Sequence, residues 1–300
     1  MFTGNTKLLS EFESDDLTVL RDCEIAHAGK IETRVEKRVV PANKLSFIHK
    51  CNHEDGISAI ITTEELAKEV PDCFGLALSN EPLASCLNIQ EKIACIPDFQ
   101  WKSFKSKIDP SAKIYPGAYI AENDVIIGAN TIIHANAVIL PRSIIGKYCS
   151  IGPGSVVSTE AFEVGVSSEP YKVLGQSGGV YIADFVDVQA KCTLVRSTFG
   201  GFTKLGEGTK LDCQVHFAHD CRTGKNVRIA ACAEISGRVD IGDRVFIGPN
   251  VSISNGIVIE DDAKVTIGSV VTRNVPKGET VTGNFAVSHR KWLKFMRTLK

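Results

Sequence analysis

Seven histidines (His27, His49, His53, His134, His216, His219 and His289) are spread over 300 residues, and only one neighbourhood concentrates groups able to move a proton. It reads Asp212-Cys213-Gln214-Val215-His216-Phe217-Ala218-His219-Asp220-Cys221. A histidine beside an aspartate suits general-base work, because the carboxylate selects the imidazole tautomer and stabilises the imidazolium that forms. Two close histidines are equally compatible with ordinary surface or corner residues, so the types alone leave both readings open. The chain carries no GxxxxGK[ST], GxSxG or HExxH, which removes P-loop, hydrolase-elbow and zincin chemistry. The closest cysteines, Cys213 and Cys221, are eight residues apart and there is no CxxC. Reduced thiols and no metal site are expected.

The elements that must position these groups divide the chain in two. Gly4, Gly29, Gly56 and Gly75 are the only glycines of the first hundred residues, leaving 21 of the 25 for the rest. In the first part, Ser58–Thr62 and Gly75–Leu78 read as strands, Thr62 and Glu65 as a capping box opening a helix that stops at Pro71, and 82–94 as a helix. Residues 1–100 are therefore expected to form a small α/β domain, with 101–107 as a linker or surface-lying connector.

Beyond it a period of six takes over. Aliphatic residues recur at Ile127, Ile133, Ile139, Ile145, Ile151 and Val157, and again from Leu205 through Leu211, Phe217, Thr223 and Ile229 to Val265. Ile108, Ile114 and Ile120 share the period, and Ile182, Val188 and Leu194 form a third piece. Small or β-branched residues such as Ala137, Ser143, Cys149 and Val239 follow four positions later, giving two inward positions per unit. Six matches neither a helix nor plain strand alternation; it fits short strands joined by tight corners and stacked along an axis. The glycines after the aliphatic residues, as in Ile127-Gly128 and Ile145-Gly146, are read as supplying corner backbone angles. The repeat should span 108–275, interrupted by a loop at 158–179, and a tail with a short helix should follow over 276–300.

The pattern resembles the hexapeptide-repeat acyltransferases, and the resemblance implies a mainly β fold, a left-handed parallel β-helix assembled as a homotrimer with grooves between subunits. The 158–179 loop would then be a wall or lid of such a groove. His216-Phe-Ala-His-Asp-Cys221 is similar to the catalytic segment of the acyltransferases that begin lipid A synthesis, and Leu211-Asp-Cys-Gln-Val-His-Phe-Ala-His219 to that of the UDP-3-O-acylglucosamine N-acyltransferases. The resemblance implies that His219 is the base, that Asp220 orients it, and that Gly237, eighteen residues on, offers an amide to the thioester carbonyl. Asp212, Gln214 and His216 would line the sugar side. Lys44-Leu-Ser-Phe-Ile48 resembles the uridine-binding domain of the N-acyltransferases, with Phe47 as the stacking residue; the plain reading of Phe47 is a core residue beside Leu45.

The match has departures. Lys50-Cys51-Asn52-His53 stands where the family has a lysine-tyrosine pair, so His53 would have to supply the second face of the base site. No histidine lies between Ser252 and Val258, where the family carries a second one. Val275-Pro-Lys-Gly-Glu-Thr-Val-Thr-Gly-Asn284-Phe-Ala resembles the closing segment of acyl-CoA-dependent hexapeptide enzymes, which makes Asn284 and Arg290 candidates for donor binding. Arg290, Lys291, Lys294, Arg297 and Lys300 would meet donor phosphates or an acidic carrier protein, or merely solvate a helix whose apolar side is Trp292, Phe295, Met296 and Leu299.

The expected function is transfer of an acyl group from acyl-CoA or acyl carrier protein, used as a co-substrate and not as a resident cofactor, to the amine of a nucleotide-activated amino sugar. An acetyl-CoA-dependent variant, a zinc β-helix using His134, His216 and His219, and a non-catalytic sugar-binding solenoid are the alternatives. Basic and acidic residues balance at 34 to 35, which gives no global case for nucleic acid or a membrane surface. With no long apolar run and an acidic N-terminal stretch, a cytoplasmic chain without membrane insertion is expected. Hydrophobic residues are 43% but aromatics only 7%, as a narrow solenoid filled with Ile, Val and Leu requires.

Overall fold

The computed structural model describes residues 1–165, 170–284 and 286–299; residues 166–169 of the expected loop, Phe285 and Lys300 lie outside it. The six-residue period builds three parallel sheets around one axis. Face I opens with Lys107–Ile108, face II with Lys113–Ile114 and face III with Tyr119–Ile120, and they hold eight, nine and eight strands. The chain turns from I to II to III and back. His216 pairs with Glu234, Glu234 with Ser252 and Ser252 with Val270, so one coil takes eighteen residues (234 − 216). The result is a left-handed parallel β-helix, and it continues past 275, since Thr280–Val281 pairs with Lys264–Val265.

The stacked aliphatic residues are its core. Ile133, Ile139, Ile145, Ile151 and Val157 are inaccessible, as are the smaller Ala137, Ser143 and Cys149 beside them. Ile108 and Ile114 keep the period but stay exposed, because they sit in the first strands of faces I and II with no coil beneath them. All ten cysteines are free. Burial pushes the Cys149 and Cys192 thiols up to about 11, so they stay neutral and act as small core residues.

The corners correct one expectation. Left-handed backbone angles fall three residues after each aliphatic position, mostly on side-chain-bearing residues: Asn130, Asn136, Arg142 and Tyr148, then Gln214, Asp220, Asn226, Cys232, Arg238 and Arg244. Gly128 and Gly146 are not among them. Their role is close approach: a Cβ on Gly128 would lie 2.6 Å from the carbonyl group of Gly146 in the next coil. Coil spacing, and not torsion, demands those glycines.

In the N-terminal domain, β1 (Thr18–Arg21), β2 (His27–Ala28), β3 (Arg38–Pro41), β4 (Ile57–Thr62) and β5 (Gly75–Leu78) form a sheet in the order β1-β5-β4-β3-β2, parallel except for β1. Strand alternation sorts the core. Val39, Ile61 and Ala77 pack with Ile89 and Ile93 of α2 (Pro82–Ala94), while Val40, Ile60 and Leu76 pack with Ile48 and Cys51 of α1 (Leu45–Cys51). The expected capping box does not form. Thr62 Oγ1 donates instead to the Ala42 carbonyl, and 64–69 is a 3-10 helix.

Segment 97–108 is tied down rather than free. Trp101 is buried, with Phe2 edge-on at 5.0 Å and Phe202 of face I at 6.2 Å. Two insertions interrupt the coils. The described part of 158–179 contains a short antiparallel pair, Val164–Gly165 with Lys172–Val173, and leans on the N-terminal domain of its own chain: Gln90 donates to Ser177 Oγ at 3.1 Å and Lys30 pairs with Glu163 at 2.8 Å. A shorter bulge at 196–201 buries Phe199 and brings Gly200 against the His27 ring.

Replacing Gly128 with alanine should cost roughly 1–3 kcal/mol from overpacking, whereas Gly268→Asn, at a left-handed corner with open space around it, should be tolerated to within about 1 kcal/mol; denaturant titration of both checks the assignment of roles. His27, held down to about 4 mainly by burial, is neutral in the folded chain. The unfolded chain binds the extra proton first, so stability is complete above about pH 6.5 and falls as pH drops from there toward 4. His27→Gln should flatten that part of the stability curve.

Candidate active site

The edge where face III turns into face I carries a column of corner residues, Asp220, Arg238 and Gly256, all with left-handed backbone. His219 stands just before Asp220 on this edge. Its neighbours follow from the inward positions: Phe217 and Cys221 fill the core, so the residues between them must form the corner. Asp220 nevertheless folds its carboxylate inward. His219 Nδ1 lies 2.8 Å from Asp220 Oδ2, and both side chains are only 17% exposed.

The 196–201 bulge completes the carboxylate's surroundings. Ser197 Oγ is within hydrogen-bond range of Asp220 Oδ1, the Thr198 amide approaches Oδ2 at 3.5 Å, and Asp220 N donates to Thr203 Oγ1 at 2.8 Å. Burial by itself would favour the neutral acid, but the contacts to His219, Ser197 and Thr198 outweigh it and hold Asp220 below the usual carboxylate range. An ionised Asp220 can only accept, so Nδ1 carries its proton and donates it in the hydrogen bond to Oδ2. The remaining ring nitrogen, Nε2, is left as a lone-pair acceptor facing the edge.

Gly237 lies one coil above. A Cβ there would be 2.5 Å from both Cε1 and Nε2 of His219, so only glycine leaves room for the ring. Its carbonyl accepts from Gly256 N at 3.0 Å and, with the Asn255 amide turned to satisfy its neighbours, from Asn255 Nδ2 at 2.5 Å, while Asn255 Oδ1 accepts from Arg238 at 2.8 Å. Among the described residues the Gly237 N–H has no acceptor. The arrangement thus offers a proton acceptor and an uncommitted amide donor side by side.

The other anticipated residues are distributed differently. His216 points outward from face III, 38% exposed and 3.6 Å from Glu234. Asp212 and Gln214 occupy the opposite edge of the same strand, where Asp212 Oδ1 caps Cys213 N at 2.7 Å and Gln214 takes the left-handed corner. Asn284 donates to the Gly268 carbonyl on that second edge, and Arg290 is exposed in α3 (His289–Thr298), a helix that buries no residue on its own chain. His134 stacks on Tyr115 and meets Ser150 Oγ at 3.0 Å, apart from His219, and no described group of three His, Cys, Asp or Glu side chains is placed to hold a metal ion.

Phe47 is 41% exposed on α1, not in the core, and His53 is exposed in the turn that follows. Lys50 and Glu54 of this segment line a cleft of about 420 Å³ between the N-terminal domain and the III–I edge, together with Arg34, Arg222, Arg238 and Asp240. None of these was anticipated. Asn255 had a signal, being eighteen residues after Gly237 and thirty-six after His219; Ser197 and Arg222 had none.

Two profiles of hexapeptide families match the chain, "Bacterial transferase hexapeptide (six repeats)" over 124–159 and "Hexapeptide repeat of succinyl-transferase" over 238–273. The UDP-3-O-acylglucosamine N-acyltransferase of Caulobacter sp. strain K31 is 34% identical over 51% of this chain and 44% of its own length; that of Pseudomonas paraeruginosa is 37% identical over 50% and 42%. The chain therefore matches less than half the length of these curated relatives. Among solved structures, LpxA from Acinetobacter baumannii superposes with a TM-score of 0.51 at 27% identity, covering 65% of this chain and 76% of that one. The UDP-N-acetylglucosamine acyltransferase from Campylobacter jejuni shares the fold at 20% identity and a TM-score of 0.50 over 65% and 82%.

Gly237→Ala should displace the His219 ring. If the site is catalytic, turnover should fall about 10²-fold or more while the unfolding midpoint moves little, since the displaced ring lies at a partly open edge; paired activity and melting measurements check this.

Proposed function

Because the chain belongs to the hexapeptide-repeat acyltransferases, we propose that it moves an acyl group from a thioester to the amine of a nucleotide-linked amino sugar, with His219 as general base. The observation that carries the reading is the pairing of His219 with the ionised Asp220 beneath the open N–H of Gly237. The same two groups are what amide formation from a thioester needs.

In this mechanism the amine attacks the thioester carbonyl carbon and a C–N bond forms. His219 Nε2 takes the proton that the amine sheds, and Asp220 stabilises the resulting imidazolium. The Gly237 N–H donates to the carbonyl oxygen as it gains negative charge. Collapse breaks the C–S bond, and the imidazolium returns its proton to the departing sulfur. Ser197 acts one step removed, keeping Asp220 ionised and aimed.

The acceptor would enter between the N-terminal domain and the III–I edge, with Phe47 on the exposed side of α1 near Lys50 as the base-stacking residue. His216, Asp212 and Gln214 belong to a surface that a single chain leaves open; a homotrimer, the assembly expected of the family, would close it with a neighbouring subunit. The donor is acyl-CoA or acyl carrier protein, met by Asn284, Arg290 and the basic side of α3. No helix of the described chain is long and apolar enough to cross a membrane, and the proposed reaction needs none.

A donor–acceptor matrix read by mass spectrometry tests the proposal, crossing short and 3-hydroxyacyl thioesters of CoA and carrier protein with UDP- and dTDP-amino sugars. One pairing should give an N-acylated product, and His219→Ala should lower its rate about 10²- to 10⁴-fold without loss of fold. A variant retaining turnover within tenfold of the parent would remove His219 from the chemistry.

A further inference from the structure

The cleft between the N-terminal domain and the III–I edge contains carboxylates and cations that mostly neutralise one another. Lys50 Nζ is 2.6 Å from Glu32 Oε1. Arg34 engages both oxygens of Asp240, Nη1 at 2.6 Å from Oδ1 and Nη2 against Oδ2, across 206 residues of sequence. Asp220 is held by His219 and Ser197, and Glu54 lies near enough to the buried Arg38 to favour its charged form.

Arg222 is left over. It stands on face I between Lys204 of the coil below and Asp240 of the coil above. Its side chain is half-buried, yet among the described residues its guanidinium donates no hydrogen bond and forms no ion pair. The nearest acids, Asp240 and Asp220, already have their partners. Burial and the neighbouring Arg34 both lower its proton affinity, and Lys204 is similarly lowered by burial and by Arg222. Among the described residues Arg238, on the adjoining corner, hydrogen-bonds through its side chain only to the neutral Asn255 amide, with the Glu32 carboxylate near enough to feel its charge. A planar fork of N–H donors that lines a cleft with no protein acceptor is free to take the oxygens of a ligand anion.

We propose that Arg222 and Arg238 form an anion subsite that takes a phosphate or diphosphate group of a substrate. Guanidinium forks match phosphate oxygens in pairs, and the two line one cleft together with Asp220, the partner of His219. A phosphate held here shares its cleft with Asp220, the carboxylate that bonds His219. Arg34 and Asp240 close the cleft over it by linking the two domains. Only the identity of the phosphate carrier, acceptor nucleotide or donor, rests on the acyl-transfer reading.

Calorimetric titration of the full chain with inorganic pyrophosphate, UDP and CoA, comparing the parent with Arg222→Gln, Arg222→Lys, Arg238→Gln and the remote face II control Lys264→Gln, tests the subsite. Pyrophosphate affinity should fall at least about tenfold in Arg222→Gln and Arg238→Gln, as expected for loss of a charge-assisted pair, less in Arg222→Lys, and not at all in the control, with melting midpoints confirming the folds. A parallel loss for UDP assigns the group to the acceptor, and for CoA to the donor; either supports the subsite. Failure of the parent to bind any of the three, or unchanged affinities in both folded glutamine variants, overturns it. A parent that binds pyrophosphate but yields no product in the donor–acceptor matrix would instead refute the transferase reading and leave the subsite standing.

Discussion

The structure depends on one constraint, the fixed separation of stacked coils. Parallel strands hydrogen-bond at about 4.8 Å, and each coil must return to the same place after eighteen residues. Whatever cannot meet that spacing is excluded. Side chains vanish where corners nest, as at Gly128 under Gly146; corner residues accept left-handed angles; the interior accepts one aliphatic and one small side chain per strand. The same spacing fills columns, so a residue in one coil is positioned by those directly above and below it. Arg244 with Asp262 at 2.7 Å, eighteen residues apart, is a surface instance of this rule.

The candidate active site is such a column with one irregularity added. His219, Gly237 and Asn255 are successive members of the III–I edge, and the tight stacking puts imidazole against glycine without any loop to hold it. The regular strand below serves only the Asp220 backbone, whose N–H donates to Thr203 Oγ1; the carboxylate needs further donors. The 196–201 bulge supplies them, because its extra residues lift Ser197 and the Thr198 amide to the carboxylate. Rigid repetition sets the distances, and the interruption tunes the charge.

That bulge also joins the two domains. Phe199 is buried and Gly200 lies against His27, whose ring bonds Gln100 at 2.6 Å, while Phe2 and Trp101 pack on Phe202. The groups around Asp220 and the wall of the cleft are therefore parts of one interface. The N-terminal domain backs the loop that holds the carboxylate.

The sequence by itself determined the solenoid, because period six is a local property repeated until no other packing fits: Ile133, Ile139 and Ile145 already state the corner spacing, and the structure sets three such corners to a coil. It also singled out the His219-Asp220 pair as a neighbourhood, and Gly237 follows one coil of eighteen residues later; the structure brings the three together. Asn255 was within reach of the same arithmetic. Only the tertiary structure decided the rest. The glycines' true role depends on what the next coil presses against them. The inward turn of Asp220 depends on Ser197, twenty-three residues away in an aperiodic bulge. The cleft depends on Arg34 meeting Asp240, residues that no periodicity connects. Contacts between domains, and the charges those contacts use up or leave free, arise from folding the two units together, and so they carry no repeating mark along the chain.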